Sequence, residues 1–73
     1  PNPTYGLLTM EISSLKADEK VMVQVTDMNG HILLKEVQTT SSFKIDLTSR
    51  SKGFYILSAT IGRERREWKI IKE

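Results

Sequence analysis

The chain has 73 residues, no cysteine and a single histidine, which excludes disulfides, thiolate chemistry and metal sites that need two imidazoles. Eleven basic and nine acidic residues leave a net charge of +2, and the basic residues are not segregated as they are in nucleic-acid binders, so no nucleic-acid partner is expected. Apolar runs stay far below the roughly 18–20 residues that cross a bilayer, so no transmembrane segment is expected. The composition predicts one small globular domain over residues 1–73.

Alternation of apolar and polar residues with period two predicts antiparallel strands in the first half of the chain. The apolar sets are Leu8, Met10 and Ile12, then Val21, Val23 and Val25. The dipeptide Asn29-Gly30 tolerates the positive φ angles of a tight turn and predicts a hairpin after the second strand. The next segment is irregular, because Ile32 and Leu34 share one face while Leu33 and Val37 share the other, and this predicts a bulge or a sheet crossover.

The alternation of apolar and polar residues with period two continues in the second half of the chain. Its apolar sets are Phe43, Ile45 and Leu47, then Tyr55, Leu57 and Ala59, and finally Trp68 and Ile70. Gly62 separates the last two strands. Six or seven short strands joined by hairpins bury their apolar faces only when two sheets pack together. The chain is therefore predicted to be all-β, a compact immunoglobulin-like antiparallel β-sandwich of six or seven strands.

Candidate catalytic and metal-binding residues are few. Asp27 and Asn29 flank a turn, but calcium needs six to eight oxygens from several converging groups, so an Asx-type hydrogen bond is the favoured interpretation of Asp27. His31 follows the turn, and no partner or cleft is predicted beside it, so an exposed histidine without catalytic function is expected. The sequence predicts no catalytic residue, no metal site and no cofactor.

The aromatic residues offer two interpretations. Tyr5, Phe43, Phe54, Tyr55 and Trp68 could together form a sugar-stacking platform. Phe43 and Trp68, however, occupy apolar phases of their strands, which predicts that both are buried in the core. Tyr55 follows a loop and Gly53, as in the tyrosine corner of sandwich folds, where the hydroxyl anchors the preceding loop. For Phe43, Trp68 and Tyr55, a structural role is therefore favoured over sugar binding.

Four segments occur in a recognisable order. They are Pro1-Asn2-Pro3-Thr4-Tyr5-Gly6, the valine-rich strand that runs into Asp27-Met28-Asn29-Gly30, the pair Ile45-Asp46-Leu47 and Gly53-Phe54-Tyr55-Ile56-Leu57, and the final Trp68-Lys69-Ile70-Ile71-Lys72-Glu73. Over its whole length the chain resembles the type A C-terminal sorting domain of proteins that Bacteroidota export by the type IX secretion system. The resemblance marks as signal-motif positions Pro1, Asn2, Pro3, Gly6, Asp27, Gly30, Gly53, Tyr55, Lys69 and Lys72.

The resemblance implies a secretion signal and not an enzyme. In such proteins a leader carries the precursor into the periplasm, the sorting domain directs the cargo through the outer-membrane translocon, and a cell-surface sortase cuts upstream of the domain, here before Pro1. The expected partners are the translocon and the sortase, and the parent is expected at the cell surface or outside the cell. The chain is expected to be a piece cut from this larger precursor. The alternative is a fibronectin-like or carbohydrate-binding accessory module of a secreted enzyme.

The last strand is the predicted contact with the export machinery. If it lies at a sheet edge, its backbone groups could accept a strand from the translocon, with Lys69, Ile71 and Lys72 as the partner-binding residues. The alternative is that Lys69 and Lys72 guard the edge against aggregation. A free edge would also allow weak self-association.

Overall fold

The computed structural model describes residues 4–13 and 15–73. Within them it has six strands and no helix; the strands are β1 Leu7–Glu11, β2 Val21–Asp27, β3 Ile32–Gln38, β4 Ser42–Asp46, β5 Gly53–Ile61 and β6 Glu64–Lys72. They form a two-stranded sheet, β1-β4, and a four-stranded sheet in the order β3-β2-β5-β6. Every strand pair is antiparallel. The predicted all-β sandwich is confirmed.

The core lies between the facing sides of the two sheets. Val21, Val23 and Val25 on β2 are fully buried, as is Ile45 on β4. The alternation of the sequence therefore maps onto an inner and an outer face for each strand. The predicted burial of Phe43 is confirmed, since its side chain is 8% exposed.

The prediction that Trp68 is buried in the core is wrong. Trp68 pairs with the buried Leu57 and shares its face with the buried Ile70, so the predicted phase is right. Its exposed fraction is nevertheless 37%. The reason is the unequal width of the two sheets, because two strands cannot cover the inner face of four. Trp68 lies on the edge strand β6, beyond the cover that β1 provides.

The predicted irregularity in β3 is a shift of register. Val25 pairs with Leu34, whereas the next residue, Thr26, pairs with Ile32. Leu33 is thus the extra residue of a bulge, which leaves its carbonyl without a ladder partner. The Arg50 guanidinium donates a hydrogen bond of 3.1 Å to this carbonyl.

No helix in the described ranges is long and apolar enough to cross a membrane.

Candidate interaction surface

The two ends of the domain meet along β6. The Thr4 N–H donates to the Ile71 carbonyl at 2.9 Å, and the Glu73 N–H donates to the Thr4 carbonyl at 2.8 Å. Thr4 thereby forms a parallel bridge with Lys72. The strand order places the last strand at a sheet edge, which is the condition for strand addition there. Its final residues do not form an open edge, because Thr4 already pairs with them.

The three predicted partner-binding residues do not share one face. Lys69 and Ile71 alternate with the inward-facing Ile70 and lie on the outer face of the four-stranded sheet, whereas Lys72 lies on the opposite face. Lys69 Nζ stands 4.6 Å from the centre of the Phe54 ring, a cation–π contact. Phe54 pairs with Ile71 across the two strands. We call these three neighbouring residues of the outer face the terminal surface: Phe54, Lys69 and Ile71.

The terminal surface is unusually apolar for exposed residues. Phe54 is 47% exposed and Ile71 37%, and the two residues pair across β5 and β6. Exposed apolar side chains that cluster, rather than occurring singly, mark interaction sites. From the sequence, Phe54 was a functional candidate only in the sugar-stacking interpretation of the aromatic residues. The structure instead gives its ring to solvent and to Lys69, and the signal for this was its phase, opposite to that of the inward-facing Tyr55.

Gly6 fixes the start of the chain against the small sheet. Its N–H donates to the Thr4 hydroxyl at 3.1 Å, and its carbonyl accepts from the Leu47 N–H at 2.7 Å. Its φ is +127°. A Cβ added at Gly6 would lie 2.8 Å from both the Cα and the N of Thr48. The position therefore requires glycine, and this close approach brings Thr4 to β6.

The Asp27 turn is a hairpin loop, as predicted. The Gly30 N–H donates to the Asp27 carbonyl and the Asp27 N–H to the His31 carbonyl, both at 3.1 Å. Gly30 has a φ of +86°, while Asn29 has no positive φ. This is the pattern of a three-residue hairpin loop in which the glycine takes the left-handed position.

The Asp27 carboxylate holds this turn together. Oδ1 accepts the N–H groups of Asn29 and His31, each at 2.9 Å, so the predicted Asx-type hydrogen bond is confirmed. Oδ2 lies 3.0 Å from Nδ1 of His31. The hydrogen bond from the His31 backbone is the main cause that lowers the pKa of Asp27, with further help from the His31 side chain and the Asn29 backbone. The expectation that His31 has no partner is wrong, although its side chain is 74% exposed.

The tyrosine corner is confirmed. The Tyr55 hydroxyl donates to the Ser51 carbonyl at 2.5 Å, and the residue is 6% exposed. This bond ties the loop after β4 to the start of β5. The loop therefore ends at Gly53 in a defined position next to Lys72, its partner across the two strands.

Strand register gathers the motif positions at one end of the sandwich, which we call the terminal end. Asp27 pairs with Tyr55, Tyr55 with Ile70, and Gly53 with Lys72. Gly6 contacts the loop that leads from β4 to Gly53, so it lies at this end as well. Pro1, Asn2 and Pro3 lie outside the described residues. The described motif positions all stand at or near the terminal end: Gly6, Asp27, Gly30, Gly53, Tyr55, Lys69 and Lys72.

A shallow groove runs between β1 and β6 and extends as far as Leu8 and Ile70. It passes over Trp68, with Ile12 and Ile61 on its apolar floor and Glu11 at its rim. Phe54 and Trp68 lie on opposite faces of the four-stranded sheet, so they cannot form one stacking platform. No cluster of three or more metal-ligating side chains occurs in the described part of the chain.

The comparisons with known proteins point the same way as the sequence motifs. A family model described as the secretion system C-terminal sorting domain matches residues 1–73. No curated protein and no solved structure matches the chain. Since the family model covers the whole sequence, the chain belongs to the C-terminal sorting domains of the type IX secretion system.

Proposed function

We propose that this chain directs an attached cargo through the outer-membrane translocon, and that the translocon recognises the terminal surface. Membership in the family implies a secreted parent that type IX secretion exports to the cell surface and that interacts with this machinery. The proposal about the surface is supported by one observation above all. Thr4, the end of β6 and the described motif positions lie at the same end of the sandwich.

The chemistry of the terminal surface suits a protein partner. A signal that works on unrelated cargoes must carry its information on its own exposed residues. Phe54 and Ile71 supply adjacent apolar area, and the Lys69 ammonium stands over the Phe54 ring. A partner with an apolar contact and an acidic rim would match both features, and the lysine would steer its approach. Because Thr4 pairs with the end of β6, recognition here proceeds through side chains and not through strand addition.

The position of Thr4 also supports cleavage upstream of the domain. The hydrogen bonds from Thr4 to Ile71 and Glu73 hold the start of the chain in the fold. A protease needs several extended residues free of such bonds. We therefore place the cut made by the cell-surface sortase before Pro1, where it releases the cargo and leaves the sandwich intact.

The test of the surface is a reporter with a periplasmic leader and this chain at its carboxyl end, expressed in a Bacteroidota host. Lys69→Ser, and separately Ile71→Ser, should leave folding intact and reduce the exported fraction. Lys44→Ser and Val37→Ser are the matched controls, since both residues are exposed and remote from the terminal end. Unchanged export in the terminal-surface variants would remove this surface from the proposal.

The unmodified reporter tests the function itself. We expect its export to the cell surface, with cleavage that leaves the sandwich as a separate fragment. Reporter that stays in the periplasm with an intact tag would reject the sorting function. Export without release of the fragment would reject only the cleavage site.

A further inference from the structure

The first half of the β6 edge has backbone groups that point away from the molecule. Thr4 bonds to the Ile71 carbonyl and the Glu73 N–H. The backbone N–H and carbonyl groups of the odd-numbered residues of β6 therefore point toward the open edge of the sheet. Strand geometry alternates, so the backbone groups of Arg65 and Glu67 face the same way. No described residue bonds to these groups. This half of the edge lies beyond Thr4 and beside the groove over Trp68.

We propose that this edge segment pairs with the same segment of a second copy, antiparallel and centred on Arg66. The dyad then stands perpendicular to the sheet, so residues that oppose one another share a face. Arg65 opposes Glu67 of the second copy, and Glu67 opposes Arg65 of the second copy. Each is a hydrogen-bonded pair, in which the two residues exchange both backbone hydrogen bonds.

Charge complementarity favours the second copy as the occupant. Arg65 and Glu67 already form a 3.1 Å ion pair within one chain, and both side chains are 55% exposed. In the dimer the same side chains stand opposite groups of the other sign on the outer face, which adds two cross-strand ion pairs. On β6, Arg65 and Glu67 are thus spaced so that each faces the opposite charge on the second copy.

Backbone hydrogen bonds and charge together select the register. Centring the dyad on Arg65 would set Glu64 against Arg66 of the second copy, but within β6 only the Arg65 pair would exchange backbone hydrogen bonds, because the next such pair needs the turn residue Arg63. Centring it on Glu67 would oppose two glutamates and set Arg65 against Lys69. In the register centred on Arg66 the turn residue Arg63, outside β6, faces Lys69 of the second copy; within β6 the register has two hydrogen-bonded pairs and one like-charge contact, Arg66 against Arg66 of the second copy. That contact lies on the groove side, where Glu64 of the second copy is a diagonal neighbour.

This association concerns the chain alone and does not depend on the proposed function. It joins two four-stranded sheets into one and protects an edge that would otherwise be open to unrelated strands. The paired segment is short, so the dimer is a weak one that forms at high protein concentration.

The test is sedimentation equilibrium of the full chain at concentrations up to about 1 mM, where even a weak complex of about −4 kcal/mol is half formed. Arg65→Glu and Glu67→Arg should each weaken the dimer roughly tenfold, because each replaces attraction by repulsion at two symmetric contacts. Mixing the two variants should restore association as a heterodimer, and the double variant carrying both changes should restore it as a homodimer. Lys35→Glu on the opposite edge strand is the matched control.

A separate variant tests the backbone pairing in the proposed dimer. Glu67→Pro removes one edge-facing N–H, which an edge strand tolerates because that group meets only solvent. It should abolish the dimer while circular dichroism shows the monomer still folded. A monomer at every concentration would overturn the proposal. So would a dimer that responds to Lys35→Glu but not to the β6 variants.

Discussion

Replacing Gly6 with alanine tests whether the start of the chain is held by a close backbone approach. Two costs follow from the structure. The φ of +127° is a conformation that residues with a side chain rarely adopt, and strain of this kind costs about 1–3 kcal/mol. The new Cβ would lie 2.8 Å from the Thr48 backbone, and overpacking of this kind costs a further 1–3 kcal/mol or so. The sum is about 2–6 kcal/mol, against a total of about 4–11 kcal/mol for a domain of this size.

The assay is urea unfolding of the two variants Gly6→Ala and Gly62→Ala, followed by circular dichroism. Gly62 has a φ of +58° and nothing within 4 Å of its added Cβ, so it reports the conformational cost alone, about 1–2 kcal/mol. The conformational cost at Gly6 exceeds that at Gly62 by at most about 2 kcal/mol, so any larger difference between the two losses measures the collision with Thr48. If Gly6→Ala is unfolded in water, a stabilising osmolyte brings the transition into range. Equal losses for the two variants would refute the close approach.

Other predictions concern the hydrogen bonds of the terminal end and the single tryptophan. Tyr55→Phe removes the bond to the Ser51 carbonyl and should lower the free energy of unfolding by about 1–2 kcal/mol, with chemical denaturation as the measurement and an unchanged midpoint as the contrary result. The pKa of Asp27 is lowered in the fold, so its contribution to stability is complete above its unfolded pKa near 3.8 and disappears as the pH falls through the lower folded value. Thermal melts between pH 5 and pH 2 should therefore fall more steeply for the wild type than for Asp27→Asn, and parallel curves would contradict this. Trp68→Ala should lower the free energy of unfolding by roughly 1–2 kcal/mol, less than the loss for a fully buried aromatic residue, because the side chain is 37% exposed. A loss above about 3 kcal/mol would mean that the groove over Trp68 is closed in solution.

Local rules accounted for the strands and their turns. The period-two pattern placed β1, β2, β4, β5 and β6, because alternation along a half-buried strand is a property of neighbouring residues. The Asp27 turn and the tyrosine corner at Tyr55 were also predictable, since each depends on contacts within four positions of the chain. The bulge in β3 was visible as a break in the same alternation.

The errors arose where distant segments decide the outcome. Trp68 has the phase of a core residue, but its exposure depends on how many strands lie above it, and no local pattern encodes that number. His31 is the exception, because its partner Asp27 lies only four positions away; the turn residues predicted the backbone of the loop but not the conformation of the imidazole. Lys69 and Lys72 looked like one binding set until the register placed them on opposite faces.

The amino-acid sequence by itself determined the all-β class, the strand phases, the hairpin turn and the family, because these follow from spacing between neighbours and from motifs in a fixed order. Only the tertiary structure decided that Thr4 pairs with Lys72 and that the described motif positions share one end of the sandwich. Strand order, register and the stacking of a narrow sheet on a wider one bring together residues far apart in the chain. Those arrangements are set by packing of the whole domain and by no single segment.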